Sequence, residues 1–271
     1  MAEGQDVAIY MVRDAQFGTN FSVKLLITLI GLALVAWDRR TKQRWDYLWV
    51  FLVGTVIWTA AELSLQLREV RVIPEPLLFG NEIPLGISAL LQGTSEGAFI
   101  AVLGLFLGDR LTDRTSRGRT ILGFSIAVVL MGLLMVLQAA RLSDVDGVAA
   151  SRRDLTDPQS VLAMALVAVF VIWFWLRRPD FRQRSLWMYA SMATFALIWT
   201  TISVAIGSRW IEVPGSAPGT YDEAGALVSL LALGYDVFVE IALAYVPFFA
   251  IPALLGWIQA TQVDQVTVSE P

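Results

Sequence analysis

The sequence predicts an all-α, polytopic membrane protein of seven transmembrane helices, and three observations predict it. Of 271 residues, 56% are hydrophobic and only 16% charged, against about 25% charged in a soluble domain; the mean hydropathy is +0.62. Seven apolar runs approach the roughly 20 residues that a helix needs to cross a bilayer. Between alternate runs the loops are short and rich in arginine, the pattern that marks a cytoplasmic face.

In order, residues 1–20 are polar and mildly acidic (Glu3, Asp6, Asp14) and lead into the first span, Phe21–Trp37. A short loop with Arg39, Arg40, Lys42 and Arg44 precedes the second span, Tyr47–Leu67. A connection punctuated by prolines, REVRVIPEPLLFGNEIPLG, leads to the third, Ile87–Leu107, which is followed by Arg110, Arg114, Arg117 and Arg119. The fourth span, Ile121–Ala140, has no ionisable residue and reads as a lipid-facing or packing helix. A mixed, net acidic loop follows, then the fifth span, Val161–Leu176, the basic loop RRPDFRQRS, and the sixth span, Leu186–Ile206. The next loop, SRWIEVPGSAPGTYDEAG, is turn chemistry throughout. The last run, Ala224–Trp257, is too long for a straight span and should tilt, or kink at Pro247 or Pro252.

The loops after spans 1, 3 and 5 hold twelve of the twenty Lys and Arg residues. The positive-inside rule then places the N-terminal segment outside the cell membrane, 21–257 as the transmembrane domain, and 258–271 as a cytoplasmic tail. An internal repeat is also visible. At an offset of 138, Trp37, Arg39, Arg40, Arg44, Leu48 and Trp49 recur as Trp175, Arg177, Arg178, Arg182, Leu186 and Trp187. Leu90-Leu91-x4-Glu96 in span 3 matches Leu230-Leu231-x4-Asp236 in span 7. A 3+1+3 plan of parallel three-helix units follows, with span 4 as the joint. In architecture alone this resembles small sugar carriers of the SWEET type, whose sites lie near the repeat interface.

The chain has no Cys and no His. Disulfides, thiolate or imidazole catalysis, Cys/His zinc sites and haem held by His or Cys are excluded. Asp236-x3-Glu240 resembles the Asp-x3-Lys of microbial rhodopsins, but Glu240 stands where the lysine would be. With only Lys24 and Lys42 in the chain, covalent retinal or pyridoxal has little room, and no cofactor is expected. A net charge of −4 points to no nucleic acid. The expected partners are the lipid bilayer and an ion or small solute; the sequence is silent on oligomeric state.

Candidate site residues come from the rule that a carboxylate in hydrocarbon faces a partner, a cavity or water. Asp236 and Glu240 share one helical face, with Tyr235 beside them. In span 3, Gln92 and Glu96 flank a stripe of Ala89, Gly93, Gly97 and Ala101 that lets backbones approach closely, so this helix should be central. Glu62 lies in the outer third of span 2, and Lys24 is its charge partner across from span 1. Four acids facing one base imply held protons or a bound cation. The function expected first is a small carrier or channel using these carboxylates for a proton, cation or polar solute. A seven-helix sensor or scaffold for an apolar ligand or another membrane protein is the alternative. An intramembrane metalloenzyme comes last, for want of an acidic metal motif.

Overall fold

The computed structural model describes residues 8–13, 20–142, 151–217 and 219–258; much of the N-terminal segment and the tail 259–271 lie outside the described residues. Among the described residues seven helices are long and apolar enough to cross a membrane: α1 (Phe21–Lys42), α2 (Asp46–Leu67), α3 (Leu85–Thr112), α4 (Arg117–Leu142), α5 (Pro158–Arg177), α6 (Pro179–Ala205) and α7 (Ala226–Leu254). Each falls on one of the apolar runs; α1 to α6 also reach into the polar residues beside them, whereas α7 ends inside its run at both ends. Local chemistry sets the ends. The Asn20 side chain accepts from the Ser22 amide to start α1, and Gln43, at a φ of 54°, ends it. Asp157 accepts from the Ser160 amide just before Pro158 at the start of α5. Proline at the first helical position costs nothing there, since its missing N–H has no intrahelical acceptor.

On the outward faces of α2, α4 and α5, Val56, Leu134 and Val169 stand about two-thirds exposed. Contiguous apolar surface of this kind calls for hydrocarbon or a partner to cover it.

Helix α3 is central. Its first half packs on α2 and its second half on α6. A Cβ at Gly93 would stand 2.0 Å from Thr59 Oγ1, one at Gly97 2.4 Å from Trp58 Cβ, and one at Gly104 2.3 Å from Met192 Cγ. The small-residue stripe therefore sets how closely α3 approaches α2. Two helices are locally unwound to π geometry, α3 over Gly93–Phe99 and α7 over Asp236–Leu243. Such segments are rare and concentrate at functional sites. Helix α7 breaks at Ala244–Tyr245, directly before Pro247, while Pro252 is carried inside its last turns.

The connecting segments at one end are not simple loops. β1 (Tyr10–Arg13), β2 (Arg71–Val72), β5 (Ser151–Asp154), β6 (Arg209–Pro214) and β7 (Tyr221–Glu223) form one antiparallel sheet in the order β2-β5-β1-β6-β7. A separate hairpin joins β3 (Leu77–Leu78) to β4 (Asn81–Glu82), with Phe79 and Gly80 both at positive φ. The segment read as turns, SRWIEVPGSAPGTYDEAG, supplies β6 and β7. Tertiary pairing overrides its turn-forming residues, because strands this short gain their stability from neighbours rather than from local preference. The all-α expectation is corrected to seven helices with a sheet at one end. Below this sheet Met11, Leu155, Ile211, Ala224 and Ala232 form a small apolar cluster. The main core, with Tyr47, Phe174, Phe181, Met188, Phe248 and Phe249, lies among the helices toward the other end.

Candidate functional site

The register of the sheet determines which side chains face the helices. Arg71 pairs with Arg153, Arg153 with Met11, and Met11 with Ile211. Arg13, two residues from Met11, pairs with Arg209. Directly paired residues, and residues two apart on a strand, share a face. Arg13, Arg71, Arg153 and Arg209 therefore occupy one face of four adjacent strands. That face meets the helices at the acids.

Each predicted acid meets one of these arginines. Arg71 donates to Glu62 Oε2 at 2.8 Å and stands 3.8 Å from Glu96 Oε2. Glu62 also accepts from Gln92 Nε2 and Gln66 Nε2, each at 2.9 Å. Lys24 donates to Gln92 Oε1 at 2.5 Å and to Glu96. The pairing of Lys24 directly with Glu62 is replaced by a relay through Gln92. On the α7 side, Arg209 donates to Asp236 Oδ2 at 2.9 Å and to Thr200 Oγ1 at 2.8 Å, and Arg153 pairs with Glu240. Tyr235 is half-buried beside Asp236. It is Tyr245, ten residues on, whose hydroxyl donates to the Glu96 carbonyl oxygen at 2.7 Å. Glu96 and the Asp236–Glu240 pair fall within the two π segments.

This changes the charge balance inferred from the sequence. Around Glu62, Glu96, Asp236 and Glu240 stand Lys24, Arg13, Arg71, Arg153 and Arg209, so among the described residues the cations outnumber the acids by one. The surplus is best assigned to Arg13, which is 28% exposed and only 3.6 Å from Glu96, too long for a hydrogen bond. The positive-inside rule has no use for arginines at this end, and that was the signal available. Each sits in a short run such as YMVR, SRRD or SRWIEV, too brief for its alternation to stand out.

Burial disfavours the guanidinium charge at Arg153, with Arg71 adding repulsion, and pushes it down to about 9. Arg209 is pushed down to about 10, mainly by burial. At Arg71 burial acts the same way, but Glu62 and Glu96 outweigh it and hold the group above its usual value. All three are protonated at neutral pH.

A cavity of about 20 Å³ opens among Arg13, Lys24, Arg71, Gln92, Glu96 and Arg153. A water needs roughly 10–15 Å³ by the same measure, so the space suits one water or one small ion. Arg152 also borders it, but its guanidinium is paired with Glu212 at 2.7 Å. Among the described residues no three acids come together as a metal site.

The opposite end is closed by a second network. Arg184 grips Asp109 with two hydrogen bonds of 2.7 Å and donates a third, also 2.7 Å, to Asp46. Tyr47 donates to Asp109 at 3.3 Å. Arg184, one of the basic loop residues, turns inward here. Comparisons of the chain with protein-family models, curated proteins and solved structures find no match.

Proposed function

We propose that the protein is a multi-pass membrane protein, with the sheet outside and the basic loops in the cytoplasm, that acts as a small carrier or channel for a polar solute. The solute is a small anion, held at the mouth of the charge array. The observation that carries this is the charge balance around the cavity, where among the described residues Arg13 has only Glu96, which it shares with Lys24 and Arg71. The acids by themselves suggested a proton or cation as cargo. With each acid facing a guanidinium or ammonium, their role becomes holding the basic lining in place. A low-dielectric wall strengthens the field of the remaining charge.

The same reading includes the 3+1+3 repeat, with α1–α3 and α5–α7 related by a two-fold axis along the membrane normal. Four features support it. α3 packs on α2 and then α6, while α7 packs on α6 and then α2. Both α3 and α7 carry a π segment with acids. Exchanging β1 with β5 and β2 with β6 turns the order β2-β5-β1-β6 into itself reversed. Asp46 and Arg184, in direct contact, are 138 residues apart, the offset of the sequence match. Equivalent positions touch only near the axis that relates them.

A seven-helix sensor is the second reading, favoured by the Arg184–Asp46–Asp109 closure of the inner end. Purified protein in sealed vesicles separates the two. Uptake of labelled chloride, with no uptake of rubidium, supports the carrier or channel. Anion binding without uptake favours the sensor, and rubidium uptake overturns the anion assignment.

A further inference from the structure

We propose a second site, at the opposite end from the charge array, that takes one anionic phospholipid. It rests on the helices lying in a bilayer. A groove of about 220 Å³ runs between α3, α4 and α6, walled by Leu107, Leu111, Ile121, Phe124, Trp187 and Ser191. All six lie in the halves of their helices nearest the basic loops, so the groove opens to the leaflet on that side.

Two observations point to the occupant. Ser191 is 5% exposed, and its hydroxyl has no hydrogen-bond partner. A hydroxyl in an apolar helix commonly returns to the carbonyl four residues back, as Thr194 does to Ala190 at 2.9 Å. Ser191 does not, and it is among the residues that line the groove, where the ester carbonyl of a glycerolipid would accept its proton. The second observation is charge. Arg114, Arg117 and Arg119 are exposed on the loop from α3 to α4 and the first turn of α4, next in sequence to groove residues Leu111 and Ile121, with Arg117 also donating to the Leu111 carbonyl oxygen at 2.7 Å. The acids nearby are engaged, Asp109 by Arg184 and Asp113 by the Thr115 amide and hydroxyl. Helix α4 starts with arginines and no acid in its first turn, which sets cations against the positive end of the helix dipole. A phosphate there would relieve both. An acyl chain in the groove and a phosphate on the arginines are the two ends of one molecule, and basic pockets between transmembrane helices bind such headgroups.

Trp187 in the groove wall reports occupancy. Full-length protein is reconstituted in phosphatidylcholine with a minor fraction of brominated lipid, and tryptophan quenching is measured. Brominated phosphatidylglycerol should quench more than brominated phosphatidylcholine at equal fraction, and Trp187→Phe should remove the difference. The double change Arg114→Gln, Arg119→Gln, at exposed positions that leave folding intact, should lower the preference by about fivefold for each arginine. Ser191→Leu, which fills the groove, should abolish it, with the melting temperature recorded as a control on folding. Equal quenching by the two lipids, or a preference that survives both sets of changes, overturns the site. Absence of quenching by either lipid would instead overturn the membrane reading beneath it.

Discussion

Arg209 and Asp236 are each 2% exposed and hydrogen-bonded to one another, so removing either leaves a bare charge in the interior. Arg209→Gln or Asp236→Asn alone should cost about 3–5 kcal/mol, and the double change should cost less than the sum; melting in detergent measures both. Arg13→Gln is different in kind. Its guanidinium makes no close hydrogen bond to an acid among the described residues and is part-exposed, so stability should change by less than about 1 kcal/mol while anion uptake falls. Uptake should be level from about pH 6 to 8, because the guanidinium groups that line the cavity keep their charge across that range. A carrier working by carboxylate protonation would show its change at lower pH. The acids of this site were legible in the sequence because a charge within an apolar run is conspicuous. Their partners were not. Arg13, Arg71, Arg153 and Arg209 lie tens to hundreds of residues from one another, and only sheet register brings them to one face.

The helices were legible because their length and hydropathy are properties of one continuous stretch. The strands of two to six residues have no such internal signature; β2 exists because β5 lies beside it. Helix α3 was expected to be central from its stripe of small residues, and the packing of Gly93 against Thr59 and Gly97 against Trp58 gives that stripe its physical content. The π segments had no sequence signal, since periodicity of 3.6 hides a single widened turn. A mutational pair tests the packing. Gly93→Ala places a methyl group against Thr59 Oγ1 and the Thr55 carbonyl oxygen and should destabilise by about 1–3 kcal/mol. Gly86→Ala, at the start of the same helix with open space around its Cβ, should be neutral or stabilising by up to about 1 kcal/mol. Equal effects in thermal melts would show that close approach to α2 is not what the glycine provides.

At the scale of the molecule, the sheet and the basic loops mark opposite ends of the helices. Single cysteines in this Cys-free chain at the exposed positions Thr41 and Gln183 should react with impermeant reagent only from the cytoplasm, and one at Ser216 only from outside. Reaction of the Gln183 position from outside intact cells would reverse the orientation. Ser116, on a basic loop, is a poor reporter because it is buried and bonded to the Arg110 carbonyl oxygen; Gly147, on the mixed loop, lies outside the described residues. The most direct test of the charge array is crystallographic: anomalous scattering from crystals grown with bromide, and in parallel with rubidium. One bromide peak within contact distance of Arg13 and the cavity-lining Lys24, Arg71 and Arg153, lost in Arg13→Gln and with no rubidium peak in its place, is the result expected of a site with one surplus positive charge. An empty cavity in bromide, or rubidium bound among Glu62, Glu96 and Glu240, would contradict it.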